Sequence, residues 1–408
     1  MKHFLFHLMP YRDLPADFEK RYESAWVWIP NSLFDEKKGH RYYNEYLDQL
    51  AEAEELGFEG VCVNEHHQNA YGLMPSPNII AAMLVMRTKR IKIAVVGNAL
   101  PLYDPPTRVA EEIAMLDCIS GGRIISGQVI GGGPEYFSFS INPAEARTRF
   151  REAHEIIMRA WTQPGPFEFY GEHYKLRYVN CWPKPLQKPH PPVWIPGAGS
   201  VETMEFVAKR RYAYMGIPYF HIDFFKKNYA LFREICEREG YKAHPEQMGL
   251  LMPIYVAETD AKAREEFEPH FWYFKNKLIP GLTISPPGYT SVRSALRVLK
   301  ALRSGKMFVN SVETWQDVEE GCFAIVGSPK TVAQKIVEHA KEIGCGNLLG
   351  LFQLGDMPPE KARKNARLYA EEVMPLVDRE IPNTTEPMPP SNPFPEEEEE
   401  RPRKVAVS

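Results

Sequence analysis

The sequence has few cysteines and no pattern that would use them together. Six of its 408 residues are cysteine, and none stands in a Cys-x-x-Cys pair. A disulfide framework is therefore not expected, and neither is a zinc site built on paired cysteines. Isolated thiols of this kind are typical of a cytoplasmic protein, and we predict no metal site.

Charge of one sign and long apolar runs are lacking too. The formal net charge is -4, with 44% hydrophobic and 25% charged residues, which predicts no basic face for nucleic acid or for a membrane surface. No stretch approaches the roughly 20 apolar residues that a membrane span needs, and the first twenty residues predict no signal peptide. We expect an ordinary globular protein without nucleic-acid or membrane partners.

What the chain does have is a regular alternation of strand and helix patterns. The predicted strands cover residues 3–9, 60–64, 91–98, 123–130, 193–197, 212–216, 250–256 and 347–354. The predicted helices cover residues 42–56, 79–88, 106–118, 146–161, 201–210, 224–239, 261–277, 331–343 and 359–376. Eight such units, with no dinucleotide glycine fingerprint after the first, predict a closed (β/α)8 TIM barrel rather than a doubly wound sheet.

Residues 1–380 are predicted to form this barrel as a single domain with two insertions. The insertions, at about 162–192 and 278–326, interrupt the repeat; either is a candidate lid, and the first is expected to wrap across the top of the barrel. The second includes a predicted helix at 291–303. Residues 381–408 are rich in proline and glutamate and are predicted to be a disordered tail.

Three adjacent ionisable residues follow the second predicted strand. Glu65, His66 and His67 stand where a parallel barrel carries its chemistry, at the carboxyl end of a strand. Neighbouring side chains on a strand point to opposite faces, so only one histidine faces the barrel mouth. This pattern favours a single acid/base histidine whose tautomer is fixed by Glu65 over a metal site, and the alternative is a structural histidine.

Further candidates for ligand binding follow other strands. Gly131, Gly132 and Gly133 can bring backbone N–H groups close to a ligand, although a glycine run also serves as a plain turn. Asn98 ends the third predicted strand, where it can hydrogen-bond a planar ring. A helix start containing Gly199, Ser200 and Thr203 suits either a phosphate or ordinary capping, and the local sequence does not choose between them.

Together these motifs resemble the bacterial-luciferase-like flavin-dependent oxidoreductases. The resemblance covers roughly residues 1–375 and is densest over 44–161. The matching segments are Glu65-His66-His67, Pro75-Ser76-Pro77, Arg87 to Ile91, Pro101-Leu102, Arg108 to Glu112, Leu116-Asp117, Ser120 to Arg123, Arg149, Trp161 and Gly327-Ser328-Pro329. So many ordered matches are more specific than any one glycine motif.

The resemblance implies a barrel that binds reduced FMN or the deazaflavin coenzyme. Many members are two-component monooxygenases, in which a reductase supplies reduced FMN that meets oxygen to form a flavin C4a-peroxide. It implies that His66 is the acid/base residue and that Ser200 and Thr203 bind the flavin phosphate. It also implies a non-prolyl cis peptide near the end of the third strand, within 95–98.

The sequence departs from luciferase at Ile130, where luciferase carries a phosphate-binding arginine. Other groups must then balance the phosphate, and the candidates on the next predicted helix are Arg149, Arg151 and His154. Tyr136 is a candidate hydroxyl donor. For this reason we do not predict light emission.

The first functional hypothesis is a two-component FMN-dependent monooxygenase that oxygenates an organic small molecule. It implies an NAD(P)H:flavin reductase as partner, and the family suggests a homodimer. The substrate would lie under the 278–326 insertion, whose Tyr289, Phe308 and Trp315 suggest an apolar guest. The alternative is a deazaflavin-dependent dehydrogenase or reductase on the same fold. A metal-dependent hydrolase and a non-catalytic flavin-binding protein fit the motifs less well.

Overall fold

The core of the protein is a closed parallel barrel. A computed structural model describes residues 1–282, 292, 296 and 308–395. The eight barrel strands are β1 (Lys2–Phe6), β2 (Gly60–Val63), β3 (Lys92–Ala99), β4 (Ile124–Val129), β7 (Val193–Gly197), β8 (Ala213–Gly216), β9 (Met248–Val256) and β11 (Asn347–Leu351). Each pairs in parallel with the next, and β11 closes the ring by pairing with β1. The (β/α)8 prediction is confirmed, and all eight predicted strands are present.

Helices surround this barrel. Those of the described residues are α1 (Phe18–Arg21), α2 (Glu36–Glu52), α3 (Pro77–Arg87), α4 (Thr107–Ser120), α5 (Gly133–Phe139), α6 (Ala146–Thr162), α7 (Val201–Arg210), α8 (Ile222–Arg238), α9 (Asp260–Tyr273), α10 (Trp315–Gly321), α11 (Pro329–Ile343), α12 (Pro359–Leu368) and α13 (Met374–Glu380). The π-helical turns Phe274–Leu278 and Tyr369–Val373 extend α9 and join α12 to α13. The predicted helix at 291–303 lies outside the described residues, apart from 292 and 296.

The first insertion does not cover the barrel mouth. It contains an antiparallel hairpin of β5 (Phe167–Tyr170) and β6 (Lys175–Val179), which the sequence analysis missed. Glu152 of α6 accepts hydrogen bonds from the backbone N–H groups of residues 172–174, so the hairpin turn is fixed to the side of that helix. Further on, Gln187 donates to the carbonyl oxygen of Ile124, at the amino end of β4. The insertion therefore runs along α6 towards the bottom of the barrel, and its expected position across the top is wrong.

The described parts of the second insertion divide between two places. Trp315 packs its ring against Phe267 and Phe271 of α9, away from the mouth. Phe308 instead lies against Phe220, next to the carboxyl end of β8. A short strand, β10 (Ile325–Gly327), pairs with β9 outside the ring. Tyr289 lies outside the described residues.

The segment that begins the predicted disordered tail is packed against the barrel. The backbone N–H of Asn392 donates to the carbonyl oxygen of Arg210, and His190 pairs with the Ser391 hydroxyl at 2.8 Å. These tertiary contacts outweigh the proline-rich composition on which the prediction of disorder from residue 381 rests. For residues 381–395 the structure therefore differs from the prediction, and 396–408 lie outside the described residues.

Two local findings complete the fold. The peptide bond Val96–Gly97 of β3 is cis, within the 95–98 stretch where the family resemblance predicts such a bond. Among the helices of the described ranges, none is long and apolar enough to cross a membrane.

Candidate active site

His66 and a glutamate from the first turn of α5 form a pair at the carboxyl end of the barrel. His66 follows β2, and its Nδ1 lies 3.0 Å from Oε1 of Glu135 on α5. The Glu135 side chain is 4% exposed and the His66 side chain 21%. Burial alone raises the pKa of Glu135, but His66 and the N–H of Gly132 outweigh it and hold that pKa below its ordinary value. Glu135 is therefore a carboxylate at neutral pH.

Two neighbouring aromatic rings pack against His66. Trp26 and Tyr71 meet the imidazole edge-on, with ring centroids 5.0 and 4.9 Å away. The Tyr71 hydroxyl forms a short hydrogen bond with that of Tyr219, which follows β8. Burial and the nearby Tyr219 raise the pKa of the Tyr71 phenol well above its usual range. The histidine thus lies in a largely apolar wall with one ionised partner.

Glu65 contacts the second histidine instead of the first. Its Oε1 lies 2.8 Å from Nε2 of His67, and its Oε2 accepts a 2.7 Å hydrogen bond from the Tyr103 hydroxyl. The side-chain amide of Asn98 and the N–H of Ala99 donate to the same oxygen, at 3.4 and 3.3 Å. The expectation that Glu65 orients His66 is therefore wrong, because Oε1 of Glu65 is engaged by His67 and its Oε2 by β3 and the loop that follows.

The glycine run after β4 forms the turn that leads into α5. Gly131 has a φ of +92°, which favours glycine, and Gly133 begins the helix. The N–H of Gly132 donates to Oε2 of Glu135 at 2.8 Å. The hydroxyl of Tyr136 donates to the carbonyl oxygen of Ile130 at 2.5 Å, so its proton braces this loop. These contacts connect the predicted binding loop directly to the partner of His66.

The helix start after β7 brings a hydroxyl and a guanidinium together. Ser200 is the N-cap residue of α7, but its side chain makes no capping bond within the helix. Its Oγ instead accepts a hydrogen bond from Nη2 of Arg147 at 3.2 Å and donates to Oε2 of Glu202 at 2.8 Å. Thr203 lies in the first turn of α7, and Gly199, directly before Ser200, has a φ of +85°. An anion here would meet the helix N-terminus and one arginine.

Two of the predicted phosphate partners point elsewhere. Arg149 pairs with Glu145 at 3.2 Å and lies over the Tyr174 ring of the hairpin. His154 is fully buried, with its Nδ1 2.7 Å from Oε1 of Gln128, and burial followed by the charge of Arg210 lowers its pKa well below the usual range. A neutral, enclosed histidine cannot balance a phosphate. The contacts of Arg149 and His154 do not support their prediction as phosphate partners, and the arginine that contacts Ser200 is Arg147.

Two signals in the sequence would have found the residues that were missed. Gly133-Pro134 followed by Glu135 is a helix start with proline in the first turn and an acidic residue at the third position. On α6, Arg147 shares a face with the apolar position Phe150, whereas Arg149 is turned by about 200° around the helix axis from Arg147. Helical periodicity therefore separates the inward arginine from the outward one.

The barrel carries a histidine, His66, and a helix start with a nearby arginine at the carboxyl ends of its strands. This combination is typical of an enzyme that binds an anionic ligand. The sequence profile described as luciferase-like monooxygenase matches residues 26–345. The chain therefore belongs to the luciferase-like monooxygenase family, and the resemblance noted from its motifs is confirmed.

Proteins similar to this chain carry more than one cofactor in their names. The chain is 27% identical over 237 residues to the oxygenase component of a flavin-dependent trigonelline monooxygenase from Acinetobacter baylyi, which is 56% of this chain and 64% of that protein. The oxygenating constituent of 3,6-diketocamphane monooxygenase from Pseudomonas putida, solved with FMN, has a TM-score of 0.68 at 18% identity, covering 92% of this chain and 98% of that one. An F420-dependent secondary alcohol dehydrogenase has a TM-score of 0.63 at 18% identity, with the same coverage of 92% and 98%. The two solved structures share the fold, and their cofactors differ.

Proposed function

We propose that this protein is the oxygenase component of a two-component monooxygenase. It would take reduced FMN from a separate NAD(P)H:flavin reductase and use O2 to oxygenate an organic small molecule. The observation that carries this proposal is the arrangement of His66, an acid/base group with one ring nitrogen tied to Glu135, at the same barrel mouth as the Ser200–Arg147 anion site. The trigonelline and diketocamphane enzymes, both oxygenating components by name, support it.

The polar groups at the mouth fit a planar ring that carries a phosphate. Oδ1 of Asn98 and Nε of Arg147 are buried and have no hydrogen-bond partner within the described residues. A ring N–H can supply the missing donor to Asn98, and a phosphate oxygen can supply the missing acceptor to Arg147. Unsatisfied buried groups are costly, so their presence favours a ligand that completes them.

Each candidate residue then has a defined task. Ser200, Thr203, Gly199 and Arg147 would hold the phosphate, and Asn98 would hold the ring. Gly131 and Gly133 would shape the loop beside the ring. His66 would donate or accept a proton at Nε2, while Trp26 and Tyr71 keep water from that atom. Reduced FMN, when bound, supplies the reaction with oxygen, and a dry site protects that chemistry from water.

The same fold also serves the deazaflavin coenzyme, which gives the second candidate function, a dehydrogenase or reductase. The F420-dependent alcohol dehydrogenase of the same fold favours it. The charge of this protein disfavours the alternative, because the deazaflavin coenzyme has a long anionic tail. This chain has a net charge of -4 and places Glu202 next to Ser200. We therefore favour FMN.

The first test is an anaerobic titration of the purified protein with reduced FMN, followed by admission of air and measurement of O2 uptake. We expect reduced FMN to bind saturably. We also expect the bound flavin to consume O2 more slowly than free reduced FMN does. Saturable binding of the reduced deazaflavin coenzyme, together with no binding of reduced FMN, would replace the proposal by its alternative.

A matched pair of arginine variants tests the phosphate site. Replacing Arg147 by Met should raise the dissociation constant for reduced FMN about 10- to 100-fold, because one charge-assisted hydrogen bond contributes ~1.5–3 kcal/mol. Replacing Arg149 by Met, two residues along the same helix, should change it less than about 3-fold. Equal effects of both variants would contradict the assignment of Arg147.

We further propose that the protein is a homodimer in the cytoplasm. The outer faces of α3 and α4, which pack against each other, expose an unusual set of apolar side chains: Ile79, Met83, Met86, Met115 and Ile119. Burial of such a patch against a second copy removes it from water. The six free cysteines of the protein fit a reducing compartment such as the cytoplasm. Light scattering should give twice the mass of one chain, and a monomer mass would contradict the dimer.

A further inference from the structure

The inference concerns Glu135, and it rests on the proposed function only in naming His66 as the acid/base residue. We propose that Glu135 is a positioning residue that keeps a proton on Nδ1 of His66, so that Nε2 is the atom that exchanges protons with a ligand. We also propose that Glu135 ties the orientation of His66 to the glycine loop after β4.

The protonation pattern follows from the donor and acceptor chemistry of the pair. An ionised carboxylate can only accept hydrogen bonds, so the 3.0 Å contact between His66 Nδ1 and Glu135 Oε1 requires a proton on Nδ1. This holds for both the neutral and the cationic imidazole. In the neutral form Nε2 then carries the lone pair and can act as a base, and in the cation it carries the proton and can act as an acid.

The remaining contacts of His66 leave Nε2 as its ligand-facing atom. Within the described residues, Nδ1 alone of its two ring nitrogens has a hydrogen-bond partner. Trp26 and Tyr71 pack edge-on against the ring, and a Cβ added at Gly72 would lie 3.3 Å from Cδ2 of His66. Packing therefore limits how far the ring can turn, and Glu135 decides which nitrogen carries the fixed proton.

The second carboxylate oxygen of Glu135 extends this control to the loop. Oε2 accepts from the N–H of Gly132 at 2.8 Å, and a Cβ added at Gly132 would lie 2.6 Å from that oxygen. Gly132 has a φ of -99°, so alanine is allowed there by the backbone. A displacement of this loop must therefore move the carboxylate, and with it the imidazole.

The charged and titratable groups around the pair are few. Tyr71, from the loop after β2, and Tyr219, after β8, lie on the side of His66, and both phenols have pKa values raised, first of all by burial. Glu65 and His67 form a separate pair with each other. Within the described part of the chain, no lysine or arginine is hydrogen-bonded to Glu135 or His66. Glu135 is thus the charge that acts on this histidine most directly.

The test is nitrogen NMR of the full-length protein labelled with 15N-histidine, without added cofactor, because the two neutral tautomers give different chemical shifts. The wild-type protein should show His66 almost entirely with the proton on Nδ1. Glu135→Gln should convert a large fraction to the Nε2-protonated form, since glutamine can also offer an N–H to Nδ1. Glu135→Asp, which keeps the carboxylate, should retain the wild-type tautomer.

Gly132→Ala tests the link to the loop. The added methyl group should displace the Glu135 carboxylate and give a tautomer mixture between those of the wild type and Glu135→Gln. Glu65→Gln is the matched control, and it should leave the His66 signal unchanged. In turnover, Glu135→Gln should lower kcat about 10- to 100-fold with KM changed only a few-fold, as for the loss of an orienting partner.

The outcomes separate this inference from the proposed function. A wild-type His66 protonated on Nε2, or a tautomer that Glu135→Gln leaves unchanged, overturns the role of Glu135 whatever cofactor binds. A fixed Nδ1 proton that depends on Glu135, in a protein that fails to bind reduced FMN, upholds the positioning role and overturns only the FMN proposal.

Discussion

The two adjacent histidines after β2 each pair with a glutamate, and the pairs differ in how firmly the glutamate is held. Glu65, the partner of His67, also accepts hydrogen bonds from Tyr103, Asn98 and the N–H of Ala99, and its side chain is 1% exposed. Apart from His66, Glu135 accepts a hydrogen bond from the N–H of Gly132 alone among the described residues. A glutamate that accepts hydrogen bonds from several neighbouring groups supports structure, whereas the less tightly held pair of His66 and Glu135 can carry chemistry.

The largest expected effect separates the two histidines by activity. His66→Asn should lower turnover with reduced FMN and O2 about 10²- to 10⁴-fold, the range for loss of a general acid or base. His67→Asn should lower it less than about 10-fold, because His67 contacts Glu65 and the Phe139 ring rather than the wall around His66. Steady-state turnover of both variants with one substrate makes the comparison, and equal losses would contradict the division of roles.

A smaller effect separates the two glutamates by stability. Glu65→Ala should lower the free energy of unfolding by about 2–4 kcal/mol, because it leaves the half-buried Tyr103 hydroxyl and the buried Ala99 N–H without their acceptor. Glu135→Ala should cost about 1–2 kcal/mol, since fewer donors depend on it. Urea unfolding followed by circular dichroism measures both. A larger loss for Glu135→Ala would mean that the second pair is the structural one.

The sequence predicted the barrel well because its signals are local. Alternating apolar runs and glycine or proline at helix ends are read from neighbouring residues, and all eight barrel strands were found from them. The position of His66 at the barrel mouth followed from its place after the second predicted strand, and the family resemblance indicated a cis peptide within 95–98.

The pairing of the site residues was not predictable in the same way. The contacts His66–Glu135 and Arg147–Ser200 join residues 69 and 53 positions apart, and they depend on how loops from different strands meet at the mouth. The adjacent Glu65 was the plausible partner for His66 by sequence distance alone. Tertiary geometry assigned it to His67, and similarly turned Arg149 towards the hairpin.

The smallest expected effect is on the pH dependence of the free energy of unfolding. It separates the contribution of the Glu135 charge from that of its side-chain shape. Its folded pKa lies below the ordinary 4.5, held there against burial by the hydrogen bond and charge of His66 and by the N–H of Gly132. Such a group adds stability that is present above pH 4.5 and is lost as the pH falls through the folded value. Glu135→Gln lacks this contribution.

The difference in unfolding free energy between wild type and Glu135→Gln should therefore narrow as the pH falls below 4.5 and through the folded pKa of Glu135. Urea unfolding at several pH values measures it, and effects common to both proteins cancel in the difference. In a His66→Asn background the narrowing should be weaker, because part of the interaction that lowers the pKa of Glu135 has been removed. A difference that does not narrow below pH 4.5 would mean that folding does not lower the pKa of Glu135, and it would remove the basis for an Nδ1 proton on His66.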